Sequence, residues 1–215
     1  MFRFFKNNSF ALLAAALTLG STVNASADSH SADDPTYFTL SGGLAFADVS
    51  KTANANGQAL ANALNRTVSV KYDRATWAGR LAGGYEVSDT VNLEIGYFMS
   101  GDIDITYSIP GASINEAYSA SGIDFAVKYD FDDSGLFAKV GMHSSDLSGK
   151  ATVTLNGSTV ASVAASSSGT GTLIGGGFES TSANGDVTFW GYDLYMDIGN
   201  VADANFGYLY YGFRF

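Results

Sequence analysis

The last eleven residues, Asn205 to Phe215, read NFGYLYYGFRF, and they constrain this chain more than any other stretch. Taken as a strand, one face carries Leu209, Tyr211, Phe213 and the terminal Phe215. The other carries Tyr208, Tyr210, Gly212 and Arg214, because successive side chains alternate sides. A free C-terminus is normally a solvated, frayed end. One that stops on an aromatic residue with an apolar alternate face makes little sense in water. It fits the closing strand of a barrel whose outside is lipid and whose rims carry aromatic rings.

The same two-residue period runs through the rest of the chain. Tyr37 to Ala47 alternates Phe38, Leu40, Leu44 and Phe46 against Tyr37, Thr39, Ser41 and Ala45. Arg74 to Val87 sets Ala75, Trp77, Leu81, Tyr85 and Val87 against Arg74, Thr76, Arg80 and Glu86. After the tight turn Ser88-Asp89-Thr90, Val91 to Tyr107 alternates for roughly 17 residues, more than a membrane crossing needs. Its apolar parity holds Val91, Leu93, Ile95, Tyr97, Met99, Ile103 and Ile105, against Asn92, Glu94, Asp102 and Asp104. Gly122 to Phe131 opposes Ile123, Phe125, Val127, Tyr129 and Phe131 to Asp124, Lys128 and Asp130. Leu136, Ala138, Val140 and Met142 then oppose Lys139 and His143. Thr170 to Ser180 sets Ile174 and Phe178 against Leu173 and Glu179, and Val187 to Ile198 sets Trp190, Tyr192, Leu194 and Met196 against Phe189, Asp193 and Asp197.

The connections alternate in length. Asp48 to Asp73 is a long polar segment, read as holding a helical turn at Ala59 to Leu64 and a short extended piece at Thr67 to Tyr72. Pro110 to Ser119 reads as a loop. Asn156-Gly157 between alternating flanks is a hairpin signal, so Lys150 to Val163 reads as an extension of the fifth and sixth strands away from the membrane. Long connections follow strands one, three and five, and short ones follow two, four and six, the asymmetry of short periplasmic turns and long external loops. The prediction is an all-β fold: a single domain over 28–215 forming an eight-stranded antiparallel up-and-down transmembrane β-barrel. An even strand count puts both termini on one side, the periplasmic one.

A soluble sandwich or a lipocalin-like barrel would also alternate, but its apolar face would point into a core. Here no charged residue falls on the apolar parity of any strand, although 15% of the chain is charged. Arg or Lys at a bilayer midplane would cost about 2–4 kcal/mol. Trp77, Tyr85, Tyr97, Tyr129, Trp190, Tyr192 and Tyr211 all fall on that parity and read as a lipid-facing aromatic girdle.

At the other end, Arg3 and Lys6 precede an apolar run of about 11 residues, Phe10 to Gly20, and Ala25-Ser26-Ala27 supplies a small-x-small cleavage pattern. Residues 1–27 therefore read as a secretory signal peptide, with Asp28 to Asp34 a polar lead-in. Loss of Arg3 and Lys6 takes the formal charge from −10 to −12, an acidity that argues against nucleic acid as a partner. There is no cysteine, hence neither disulfide nor thiolate metal site.

The lumen of an eight-stranded barrel is just wide enough for its own side chains, and charges inside it must be paired to offset desolvation. Arg80, Glu94, Lys128, Lys139, Glu179, Asp193 and Arg214 occupy the polar parity and are expected to form an interior charge network. The network reads as a plug that fixes register; the other reading is a gate on a narrow ion path. Asp102, Asp104 and Asp124 are placed near the outer end, as oxygen ligands for a divalent cation or as an acidic rim. Asp130, Asp132 and Asp133 read as turn chemistry. Gly175-Gly176-Gly177 lies within a strand, and no phosphate loop, zinc spacing or nucleophile elbow is present. No cofactor, metal or catalytic residue is expected.

The signal peptide, eight alternating strands, loop asymmetry, aromatic girdle and terminal Phe215 together resemble the small OmpA-like or opacity-type outer-membrane barrels, often labelled porin-family proteins. Ser134 to Met142 (SGLFAKVGM) and Asn205 to Phe215 are especially similar to that family. The resemblance implies an integral bacterial outer-membrane protein embedded among lipid and lipopolysaccharide, with a role in the envelope and in surface contacts through its external loops. It also implies that Leu209, Tyr211, Phe213 and Phe215 form the C-terminal signal read by the barrel-assembly machinery. It names no partner for the loops. Nothing follows Phe215 in this chain, so the peptidoglycan-binding domain of two-domain members, and a cell-wall tether, are not expected. A narrow ion-conducting channel is the alternative function. A further one comes from His143 and Ser145, which resemble part of the active-site motif of outer-membrane lipid A deacylases. That reading lacks a nearby acid, and His143 shares the inward parity of Lys139.

Overall fold

The computed structural model describes residues 35–131, 134–200 and 204–215. The predicted signal peptide, the lead-in to Asp34, and Asp132 and Asp133 lie outside the described residues. In chain order the elements are β1 (Thr36–Phe46), α1 (Ser50–Leu64), β2 (Ser69–Tyr72), β3 (Ala75–Ser88), β4 (Val91–Ser100), β5 (Ile103–Ile109), β6 (Ala112–Asp130), β7 (Leu136–Leu155), β8 (Ser158–Thr181), β9 (Val187–Met196), a 3-10 turn (Ile198–Asn200) and β10 (Phe206–Arg214).

Eight of these strands close a ring, each antiparallel to both neighbours, in the order β1, β3, β4, β6, β7, β8, β9, β10 and back to β1. Closure leaves no unpaired edge within the ring, which hydrocarbon requires because it offers backbone groups no hydrogen-bond partner. The seam between β1 and β10 runs to the last residue. The Phe38 N–H donates to the Phe215 carbonyl at 3.0 Å, and the Phe215 N–H donates back at 2.8 Å. The alternation is that of a barrel turned inside out relative to a soluble one. Leu40, Leu81, Ile95, Val140, Trp190 and Phe213 stand exposed on the outside, while Arg80, Glu94, Lys128, Lys139 and Asp193 are buried within.

The Val91 to Tyr107 stretch departs from a single uninterrupted strand. In the pairing with β6, Met99 faces Ser121, but Ile103 faces Tyr118. Three residues, Ser100, Gly101 and Asp102, thus oppose two, Ser119 and Ala120. This is a one-residue bulge, and it exchanges the two faces of everything beyond it. The Ser100 hydroxyl accepts the Ala120 N–H at 2.9 Å, satisfying a donor at the irregularity. Consequently Ile103, Ile105 and Tyr107 point to the inner side and are buried, instead of continuing the lipid-facing parity.

The loop expected over Pro110 to Ser119 is also strand. Pro110 and Gly111 alone make the turn, Gly111 taking the positive φ of 81° that such a reversal needs, and β6 begins at Ala112. The Asn156-Gly157 hairpin is present, with φ of 48° and 82°, and β7 and β8 run for 20 and 24 residues on either side of it. Beyond the ring, β2, β5 and the far halves of β6, β7 and β8 therefore form one continuous sheet.

A helix of 15 residues stands where the sequence suggested one helical turn. Val49, Ala53, Gly57 and Leu60 recur at helical spacing. Together they pack on Val70 and Tyr72 of β2, Ile105 and Tyr107 of β5, and Ile114 and Tyr118 of β6. A Cβ on Gly57 would collide with the Val70 side chain, so a glycine sets how closely α1 approaches the sheet. Asp48 accepts the Ser50 N–H at 3.1 Å and its hydroxyl at 2.5 Å, and the helix ends on Asn65 in the left-handed conformation.

Candidate functional site

Charged side chains from seven of the eight ring strands meet inside the barrel. Arg80 of β3 is the hub. Its Nε and one NH2 group hold both oxygens of Asp124 at 2.9 and 2.6 Å, and the remaining nitrogen reaches Glu94 Oε2 at 3.0 Å. Lys139 approaches the same Glu94 oxygen at 3.4 Å and Asp193 at 3.8 Å. Three phenols complete the carboxylates: Tyr195 donates to Asp124 at 3.1 Å, Tyr210 to Asp193 at 3.0 Å and Tyr37 to Glu94 at 3.2 Å. Buried charges persist only when paired in this way; Asp193 Oδ2 alone of these carboxylate oxygens keeps no hydrogen bond and faces the Lys139 ammonium. Gly96 makes room for the hub, because a Cβ there would lie 2.7–2.8 Å from the Arg80 guanidinium.

A second group lies nearer the short turns. Lys128 pairs with Glu179 at 2.6 Å and Asp130 at 2.8 Å. Arg214 pairs with Glu86, reaches Glu179 at 3.7 Å, and stacks on the Tyr37 ring 4.0 Å from its centroid. Tyr37 thereby touches both groups. All seven residues singled out in the sequence lie in these two groups, and three other charged residues, Glu86, Asp124 and Asp130, join them. Asp124 belongs to the buried centre and not to an outer rim. Asp130 binds Lys128 and the Asn92 amide at 2.5 Å, so it does more than shape a turn.

Towards the long-connection end the polar layer gives way to rings. Phe98, Tyr195 and Phe206 pack with centroids 4.3–6.3 Å apart, with Leu173, Ile198 and Tyr208 buried against them. His143 joins edge-on to Phe98 and Tyr195. Its Nε2 lies 2.8 Å from the Met196 carbonyl and therefore carries the proton, leaving Nδ1 to accept the Ser145 hydroxyl at 3.1 Å. The Ser145 oxygen accepts the Gly199 N–H at 3.1 Å. Both side chains are buried, and among the described residues no carboxylate hydrogen-bonds to either. Alternation alone does not announce this inward layer, because aromatic residues occupy both parities of these strands.

Outside, Trp77, Tyr85, Tyr97, Tyr129, Trp190, Tyr192 and Tyr211 are all exposed, as are Leu209, Tyr211, Phe213 and Phe215 of the terminal strand. Tyr192 stands midway along β9, where its ring covers Gly207 of β10. Asp102, Asp104 and Asp124 do not converge. Asp124 is salt-bridged inside, Asp102 is exposed, and among the described residues no cluster of three His, Asp or Glu could hold a metal. In the outer sheet Glu116 accepts the Tyr118 and Tyr107 hydroxyls at 3.1 and 3.4 Å. Burial, followed by the charge of Glu116, pushes the Tyr118 phenol up to about 12, and burial raises Tyr107 as well.

The model of the OmpA-like transmembrane domain matches residues 45–206, from the end of β1 to the start of β10. The chain belongs to that family. This OmpA-like barrel is an integral protein of the bacterial outer membrane. Among solved structures it is similar to Neisserial surface protein A, at 19% identity and a TM-score of 0.45, covering 84% of this chain and 96% of that one. It is also similar to Ail, the attachment invasion locus protein of Yersinia pestis, in complex with the heparin analogue sucrose octasulfate. That match has 14% identity, a TM-score of 0.46, and coverage of 84% and 99%. A third is OprG from Pseudomonas aeruginosa, at 10% identity and a TM-score of 0.38, covering 85% and 97%. Comparison with curated proteins gives no match.

Proposed function

We propose that this OmpA-like barrel is a non-enzymatic, closed-lumen envelope protein that presents its outer sheet for contacts at the cell surface. Its short turns and both termini face the periplasm, and lipid and lipopolysaccharide surround its apolar wall. The observation that carries the reading is the filling of the lumen by two successive layers. Arg80, Glu94, Asp124, Lys139 and Asp193 are nearly solvent-free, and Phe98 and Tyr195 close the space beyond them. An ion would have to break several short pairs and then displace packed rings. The inward, hydrogen-bonded His143 and Ser145 favour a structural role over lipid A hydrolysis, which needs a site open to lipid.

The test is planar-bilayer recording on the folded protein. A membrane with no discrete conductance is the expected result. Discrete openings that change when Arg80 or Glu94 is neutralised would establish the channel and overturn the plug. In parallel, lipid A from cells expressing wild type and His143→Ala should have identical mass spectra. Loss of acyl chains with the wild type alone would overturn the non-enzymatic reading.

A further inference from the structure

The ring has no edge, but the outer sheet has two. One ends in β2, which is only four residues long, carries Lys71, and has α1 packed beside it. Short length, charge and a covering element are the devices that keep an edge from pairing with another chain. The other edge is β8. It pairs with β9 only from Thr172 to Thr181. The 3-10 turn covers the next few residues, where the Ser167 hydroxyl donates to the Gly199 carbonyl at 2.6 Å. From Ser158 to Ser166 that side of β8 faces no strand among the described residues, and every one of these residues is exposed.

This stretch reads STVASVAAS: no charge, no proline and no side chain larger than valine. A bulge at Val160, near the tip, is its one protective device. Such an edge offers main-chain donors and acceptors but neither a pocket for a side chain nor a charge to steer a ligand. It therefore suits another strand of equally small, uncharged residues.

We propose that this edge pairs antiparallel with the same edge of a second copy of the chain, held on an opposing membrane. The proposal rests on the outer sheet being external. The edge is its own complement: Ser158–Ser166 is small and uncharged, so two copies meet there without the like-charge repulsion that chains of formal charge −10 exert on one another elsewhere. Geometry fixes the arrangement. Identical strands pair antiparallel about a two-fold axis normal to their sheet. In a barrel that normal is radial, so the rotation reverses the barrel axis. The two molecules must point in opposite directions, as they would on facing surfaces, and not side by side in one bilayer.

The folded protein in phosphatidylcholine vesicles gives the test, read by turbidity, with added protease reporting whether the 150–166 arm is accessible. Wild-type vesicles should cluster, and Val163→Lys, which keeps the heat-dependent gel shift of a folded barrel, should slow clustering at least tenfold. Because the chain has no cysteine, single cysteines placed in turn at 158–166 should yield a disulfide dimer most strongly at one position, the two-fold centre. An accessible arm without clustering overturns the self-pairing and leaves the external sheet standing. Clusters that recruit protein-free vesicles equally well overturn it too, since the partner would then be lipid. An arm shielded on intact cells while the short turns are cut would overturn the external placement, and self-pairing with it.

Discussion

Arg80 holds two carboxylates at once, so its removal would leave Asp124 and Glu94 charged and poorly paired inside the barrel. Arg80→Ala should lower the unfolding free energy by about 3–5 kcal/mol, measured by denaturant titration in detergent. Arg80→Lys should recover only part of this, because an ammonium cannot reproduce the bidentate hold on Asp124. Gly96→Ala should destabilise by about 1–3 kcal/mol through overpacking against the guanidinium. At this scale the inward position of each charge was legible from strand parity. Its height is less legible: a strand that begins at Gly122 would put Asp124 near the outer end. The strand in fact starts at Ala112, which carries the barrel wall well past Asp124.

Among the elements, α1 depends on the bulge between β4 and β5. Deleting Asp102 removes the extra residue, which would turn Ile103, Ile105 and Tyr107 away from Val49, Ala53 and Leu60. The expected outcome is loss of helical signal in circular dichroism and rapid proteolysis within 50–64, with the ring still showing its heat-dependent shift. The helix also carries a pH dependence. The hydroxyl and N–H donors of Ser50 hold the Asp48 carboxyl below its ordinary value. A lowered folded-state value means that its contribution is complete above the unfolded aspartate range, about 3.9, and is lost as pH falls through the folded value. The Ser50 amide resonance should therefore titrate below about pH 4, and Asp48→Asn should abolish that titration. The sequence under-read α1 because Ala53 and Gly57 mark its packed face with too little hydrophobicity to register as a period. Likewise, no residue type announces a bulge when apolar residues continue at every second position through it.

For the whole molecule, the eight-strand count, the lipid-facing parity and the hairpin at Asn156 were readable because hydrocarbon tolerates so few exceptions to alternation. The outer sheet was read mostly as loop, since in water both faces of a strand can be polar or small. Closure is the property to test. Deleting Phe215 removes the two ladder bonds to Phe38 and should cost about 1–3 kcal/mol of stability in detergent. If the terminal aromatic is also read during assembly, the yield of heat-shifted barrel in cells should fall further than the yield on refolding in vitro. Equal losses would assign Phe215 a purely structural role.

The bulge at Ser100–Asp102 also marks a change of solvent along a continuous chain. On β6 the crossing is made by residue choice: outward Phe125 and Val127 give way to outward Asn115 and Ser113, while inward Lys128 and Asp124 give way to Tyr118 and Ile114. The neighbouring chain keeps its apolar residues at odd positions throughout and makes the same crossing by slipping one place. The outward face is apolar on one side of that slip, and polar on the other, where Asp104, Thr106 and Ser108 take the outward places. An outer hairpin transplanted from another barrel would have to carry or omit that odd residue correctly, or it would arrive inside out.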